Sequence, residues 1–212
     1  MAASTFAKPA VLKKLLIATT NPNKVREITP LLAGESIDLI TLADIEPMPE
    51  PKETGDTFWE NARIKALAYA GATGEVAVAE DSGLEIDALG GQPGVHSARF
   101  LGASTPYRAR FEEIFRRLGS KPRHARFVTA LAVARGSDVL FETETTIAGL
   151  VADAAAGEYG FGYDPIFFYP PFGCTTAQLT DQEKAMVSHR GRAFRDLQRW
   201  LRALRNAQSP GG

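Results

Sequence analysis

The chain has a single cysteine, Cys174, so no internal disulfide can form. A chain without disulfides suits a reducing compartment, and a cytoplasmic location is expected. As a nucleophile Cys174 would need a base, and neither histidine nor acid stands near it; a packed thiol is the plainer reading. No apolar run is long enough to cross a membrane. Met1 to Ala10 carries one lysine and no long apolar stretch, so it does not read as a secretory signal. Charge of one sign is also missing: 24 Lys and Arg balance 25 Asp and Glu, for a net charge of −1. A nucleic-acid partner is disfavoured, because such a surface would be basic. Histidine is scarce. His96 and His124 lack metal-ligand spacing and read as structural. Internal repeats and low-complexity blocks are absent.

What is present is ordinary globular material. Hydrophobic residues make up 44% of the 212 and charged residues 23%, enough to bury a sizeable core. A single domain of two lobes is expected over 11–206, with flexible tails at 1–10 and 207–212. Leu15 to Thr19 reads as a buried strand. Asn21 can cap the helix that follows, and Pro22 fits its first position. Pro30 should bend or shorten that helix. Ser36 to Leu42 reads as a second strand. Thr57-Phe-Trp-Glu60 has capping-box spacing and opens a helix to about Ala72. Val76 to Ala79 is a strand ended by Glu80 and Asp81, and Leu84 to Leu89 continues as another. Pro106 starts a helix that Gly119 ends. Phe127–Ala134 and Val139–Ile147 are strands, Thr180 opens a short helix, and Phe194, Leu197, Leu201 and Leu204 mark the last one. Strands and helices intermingle, and some strands follow each other directly. The class is α/β with a mixed sheet.

Several segments carry chemistry. Thr19-Thr20-Asn21-Pro22-Asn23-Lys24 joins a strand to a helix N-terminus, where free N–H groups and the helix dipole favour anions. The plainer reading is a capped turn; the Walker glycines are absent. Glu80-Asp81 places two carboxylates at a strand end, where open α/β sheets put ligands and where magnesium finds oxygen donors. They also read as surface acids in a turn. Asn61 and Lys65 share a helix face, and a lysine buried in so apolar a helix needs an anion. Otherwise it snorkels at the helix edge. Glu53 lies just upstream. Phe161-Gly162-Tyr163-Asp164 offers rings that stack on a base, or an aromatic core corner. Lys184 and Ser188-His189-Arg190-Gly191 are donors for a phosphate or a purine oxygen, or else a solvated helix end.

The order of these motifs resembles the inosine/xanthosine triphosphate pyrophosphatase family. The matching segments are Ala18-Thr-Thr-Asn-Pro-Asn-Lys24, Glu53-Thr-Gly55, Glu60-Asn-Ala62 with Lys65, Glu80-Asp-Ser-Gly-Leu84, Gly90-Gly-Gln-Pro-Gly-Val-His-Ser-Ala-Arg-Phe100, Phe161-Gly-Tyr-Asp-Pro-Ile-Phe167 and Ser188-His-Arg-Gly191. The resemblance implies a long mixed sheet flanked by helices, two lobes with the active site in the cleft between them, and a homodimer. It implies hydrolysis of ITP, dITP or XTP to the monophosphate and pyrophosphate, with Mg2+ as cofactor. By position, Asp81 and Lys65 are the implied catalytic residues, and Asp81, Glu53 and Glu80 the metal ligands. Thr19, Thr20, Asn21, Pro22, Asn23 and Lys24 would hold the triphosphate. Ser82, Phe161, Gly162, Tyr163, Asp164, Lys184, His189 and Arg190 would complete the nucleotide site, with Phe161 stacked on the base and His189 and Arg190 toward its six-position oxygen. Glu80 stands where aspartate is common, Asn23 where a small residue is frequent, and Gln178 where an acid is common. The alternatives are a pyrophosphatase for other modified nucleotides and a nucleotide-binding module without catalysis.

Overall fold

The structure, a computed structural model, describes residues 12–208. The tail expected at 1–10 and residues 209–212 lie outside the described residues. Among the described residues, seven strands form one sheet: β1 (Lys14–Ile17), β2 (Asp38–Thr41), β3 (Ala77–Ile86), β4 (His124–Arg135), β5 (Asp138–Val151), β6 (Phe167–Tyr169) and β7 (Cys174–Thr175). The helices are α1 (Pro22–Leu32), α2 (Phe58–Thr73), α3 (Tyr107–Leu118), α4 (Asp181–Val187) and α5 (His189–Gln208). The sheet order is β2-β1-β3-β4-β5-β6-β7. β1 runs parallel to β2 and β3, and the remaining pairs are antiparallel. The expected mixed α/β architecture is the observed one. Helix α5 extends through residues 207 and 208, which were expected in a tail.

Local chemistry sets the helix ends. The Asn21 side chain accepts from the Asn23 N–H at 3.0 Å, and Pro22 opens α1. Pro30 sits inside α1, which stops two residues later at Leu32. Thr57 and Glu60 form the capping box of α2, and Thr180 and Glu183 that of α4.

Strand alternation sorts the core into layers. Ala77, Ala79, Val128, Ala130 and Ala132 face α2, whose own Ala62, Ala66 and Ala70 let the helix lie close. Val78, Leu131 and Val133 face the other way, onto Ile28 and Leu32 of α1 and Phe194, Leu197 and Leu201 of α5. A third cluster gathers Ile114 and Leu118 of α3 with Phe127, Ile147 and Phe167, and builds the second lobe around β6. Each fully buried Leu or Ile contributes about 1.5–3 kcal/mol.

One expectation needs correction. Glu80 and Asp81 do not end a strand. β3 runs on to Ile86 and pairs with β4 through Asp81↔Ala130 and Ser82↔Thr129. The long β4 partner keeps the strand in register. On its other edge β3 meets β1 only at Ala77 and Val78. The chain then turns away into the Thr19–Lys24 loop, so the parallel ladder ends where the acids begin. That divergence opens a cleft beside Asp81.

Candidate active site

The cleft is a cavity of about 600 Å³. Its wall includes Thr19, Thr20, Asn21 and Lys24, then Glu53, Lys65, Asp81 and Ser82, and finally residues 161–164, Lys184, His189 and Arg190. Three expected site residues, Pro22, Asn23 and Glu80, do not line it. Pro22 and Asn23 instead form the first turn of α1 and fix how the loop enters the helix.

The loop is pre-shaped by its own side chains. Thr19 Oγ1 accepts from the Asn21 N–H at 3.2 Å, and Thr20 Oγ1 donates to Glu50 at 3.1 Å. Lys24 reaches inward until its Nζ lies 3.2 Å from Glu80 Oε1. Burial pushes the Lys24 pKa below its ordinary value, against the pull of Glu80. An anion here would meet the α1 N-terminus and a poorly solvated ammonium together.

Asp81 and Glu80 are neighbours in sequence and point to opposite faces of β3. On the α2 face, Lys65 Nζ donates to Asp81 Oδ1 at 3.1 Å and to Glu53 Oε1 at 2.5 Å. Asn61 Nδ2 donates to Asp81 Oδ2 at 3.3 Å, and its amide also holds both main-chain groups of Gly55. Arg99 Nη1 donates to Glu53 Oε2 at 3.1 Å. Burial pushes the Asp81 carboxyl up, although Lys65 and Lys24 oppose it. Burial acts to lower Lys65, but Asp81 and Glu53 outweigh it and hold the ammonium above its usual value. A basic carboxylate beside an acceptor-rich, half-buried Glu53 is a donor set that suits a hard cation whose shell is completed by phosphate oxygens. Among the described residues, no group of three or more His, Cys, Asp or Glu is arranged as a protein-only metal cage.

Glu80 serves the other face. Arg190 Nε donates to its Oε1 at 2.9 Å, and burial, which would raise the carboxyl, is outweighed by Arg190 and Lys24. Arg190 continues through Nη1 to Glu27 Oε2 at 2.6 Å and Nη2 to Ser82 Oγ at 3.0 Å. Lys184 Nζ donates to Glu27 Oε1 at 2.7 Å and to Asp164 Oδ2. Asp164 also accepts from the Phe161 N–H and from Thr176, so it orders the Phe161 loop. Lys184 Nζ lies 5.1 Å and Arg190 Cζ 5.3 Å from the Phe161 ring centroid. His189 stacks on Phe127 at 4.7 Å. Burial, then Arg190 and Lys184, push its pKa well down, so the ring is neutral at pH 7. Tyr163 is buried, and its hydroxyl donates to the Ser97 carbonyl at 2.9 Å.

Two glycines are dictated by this packing. Gly160 has φ +70°, and a Cβ there would lie 2.3 Å from Asp164 Oδ2. A Cβ on Gly191 would lie 2.0 Å from the Ala185 carbonyl, at the tight α4–α5 junction. The Ser188–Gly191 segment is therefore a buried corner rather than a solvated helix end. Sequence reading missed Glu27, Arg99 and Phe127. Glu27 had a usable signal: it follows Lys24 by three positions, on the same face of α1. Arg99 lies inside the matching segment Gly90–Phe100 without having been given a role, and Phe127 had no signal, because only the fold brings it to the cavity.

A family model described as the Ham1 family matches residues 15–200. The chain belongs to the Ham1 family. It is 45% identical over 186 residues to a dITP/XTP pyrophosphatase of an Exiguobacterium species, covering 87% of this chain and 95% of that one. It is likewise 45% identical to a dITP/XTP pyrophosphatase of Thermus thermophilus, covering 93% of this chain and 94% of that one. The structure of a HAM1 protein from Coxiella burnetii superposes with a TM-score of 0.84 at 35% identity, covering 91% of this chain and all of that one. In this Ham1 chain Gln178 accepts from the Thr175 N–H at 3.0 Å and caps a short turn behind the Asp164 loop.

Proposed function

We propose that this Ham1 chain hydrolyses ITP, dITP and XTP to the nucleoside monophosphate and pyrophosphate. The observation that carries it is one cavity with two chemically distinct ends. The Thr19–Lys24 loop, Lys65, Glu53 and Asp81 sit at one end, and Phe161, Lys184, His189 and Arg190 at the other. The names of the relatives support the same reading.

The triphosphate lies along the Thr19–Lys24 loop, where hydroxyls, N–H groups and Lys24 meet its oxygens. Asp81 and Glu53 would hold Mg2+ together with the phosphates. When bound, the metal neutralises charge on the phosphates and stabilises the departing pyrophosphate. Asp81 orients the water that attacks the α-phosphorus and accepts its proton. Lys65 and Asn61 fix the direction of its two oxygens. Glu80 acts outside this group, as the anchor of Lys24 and Arg190.

Phe161 stacks on the base, and its two cationic neighbours hold that ring in place. Lys184, Arg190 and His189 present N–H donors to the six-position. Hypoxanthine and xanthine carry an accepting oxygen there; adenine carries an amine, which would face donors with donors. Each donor left unpaired costs about 1–3 kcal/mol, roughly tenfold to a hundredfold in selectivity. The homodimer and the cytoplasmic location belong to the same proposal. Pyrophosphate release from ITP, XTP, dTTP and ATP, measured side by side with magnesium, tests the function. Preference for ITP and XTP is expected, and equal rates on all four would sink it.

A further inference from the structure

Among the described residues, Arg110 heads the fully buried side chains by size, 1% exposed, and none of the ion pairs found there joins it to a carboxylate. Its Nη1 donates to the carbonyls of Ser97 at 3.0 Å and Ala98 at 2.9 Å, and its Nη2 to those of Gly102 at 3.1 Å and Ala103 at 3.4 Å. The Tyr107 ring covers the guanidinium at 4.7 Å. Burying a cation without an anion is expensive. What the arrangement achieves is geometric: α3 grips both ends of the 97–103 segment, in which a short 3-10 helix ends at Arg99, from within. Leu101 in that loop holds φ +64°, a conformation costly for a branched side chain and sustained only by surrounding constraint.

The residue displayed between the gripped ends is Arg99. Its side chain is 39% exposed, lines the cavity and donates to Glu53 Oε2. Glu53 thus has both oxygens occupied, one by Lys65 and one by Arg99. Glu53 can therefore join a metal's donor set only after one of its cationic partners leaves. A triphosphate offers each cation a stronger anionic partner, and arginine's fork matches phosphate geometry.

We propose that Arg99 is a further substrate-contacting residue, held by Arg110, which leaves Glu53 to bind the terminal phosphates and so frees Glu53 Oε2 for the metal. This rests on the triphosphate reading above. Arg99 and Glu53 exchange partners: before substrate they neutralise each other, and afterwards each faces a group of opposite charge from the ligand. Arg110 is a positioning residue that keeps Arg99 at the Glu53 end of the cavity.

The test is calorimetric binding of α,β-methylene-ITP, which resists cleavage, and of IMP, both with magnesium. Arg99→Gln is expected to weaken the triphosphate analogue about tenfold or more and to change IMP by less than twofold, with an unaltered Tm. Arg99→Lys, which keeps the charge but not the fork, is expected between the two. Arg110→Lys is expected to weaken the analogue as well, and to add little when combined with Arg99→Gln. Unchanged analogue binding in Arg99→Gln, or equal losses for analogue and IMP, overturns the contact. Full additivity in the double variant overturns the positioning role of Arg110. Should the unaltered protein neither bind the analogue nor cleave ITP, the triphosphate reading itself falls. Normal cleavage with unchanged Arg99→Gln binding would fell only this inference.

Discussion

The two ends of the cavity hold similar numbers of charges in different states. At the base end, the side chains of Lys184, Arg190 and Asp164, and of Glu80 behind the cavity wall, are 4%, 3%, 3% and 1% exposed, and they pair with one another as Lys184–Asp164 and Arg190–Glu80. At the phosphate end, the Glu53 and Arg99 side chains are 24% and 39% exposed, and their ion pair faces the cavity. Water screens the second pair and shields little of the first network. The base end is therefore a fixed template for reading hydrogen-bond polarity. At the phosphate end the Arg99–Glu53 pair is open to replacement by a ligand of high charge, in front of the buried Lys65–Asp81 pair. Reading a base needs donors that do not move; holding a metal and three phosphates needs partners that let go.

The comparison is broken most sharply at Asp81, the buried acid at the exchangeable end. Asp81→Asn keeps the shape and the Asn61 side but removes the base. The expected loss in kcat is about a thousandfold, within the range of general-base removal, with near-native circular dichroism. Near-normal turnover would remove Asp81 from its role. The next largest effect lies at the template end. Arg190→Met leaves Glu80 and Glu27 buried without their shared partner. Stripping one member from a buried ion network costs about 3–5 kcal/mol, so a large fall in Tm is expected, together with collapse of the ITP over ATP preference. A Tm within a degree of the parent would show the network to be less interdependent than its geometry implies.

The unequal legibility of the two ends in the sequence has the same origin. Thr19 to Lys24 announces itself because a helix N-terminus needs a cap and a fitting first residue, and these are local demands. Mixed sheet and helices follow from period and turn chemistry for the same reason. Glu80 and Asp81 were visible as acids, yet their division of labour was not. It depends on β4 holding β3 in register past Val78, a pairing between residues about fifty positions apart. Alternation then sends one acid to each face. Glu27 shows its place on the Lys24 face of α1, but not its role, because its partners, Lys184 and Arg190, come from the far end of the chain. Arg99 needed the loop that Arg110 grips, and nothing in local sequence reports a buried arginine bound to carbonyls.

Glu27 sharpens the comparison at smaller magnitude. Glu27→Gln keeps the shape but weakens the hold on both Lys184 and Arg190. If the template works through rigidity, ITP over ATP selectivity falls about tenfold, one kcal/mol-scale interaction, while kcat on ITP changes little. An equal fall for both nucleotides would instead make Glu27 a general structural support.

The smallest effect is in the pH dependence of stability. Burial acts to raise the Glu27 carboxyl, but Arg190 and Lys184 outweigh it and hold its pKa below the ordinary 4.5. A depressed folded pKa means that the unfolded chain takes up the proton first as pH falls. The stabilisation from Glu27 is therefore complete above pH 4.5, the ordinary value, and is lost progressively below it, through the lowered value of the folded state. Glu27→Gln removes this titration. Thermal unfolding between neutral pH and about pH 3 should show the parent losing Tm more steeply than the variant on the acid side, with the curves parallel above the carboxylate range. Parallel curves throughout would mean that Glu27 gains as much from solvent as from its two cations, and the template end would then be softer than its burial suggests.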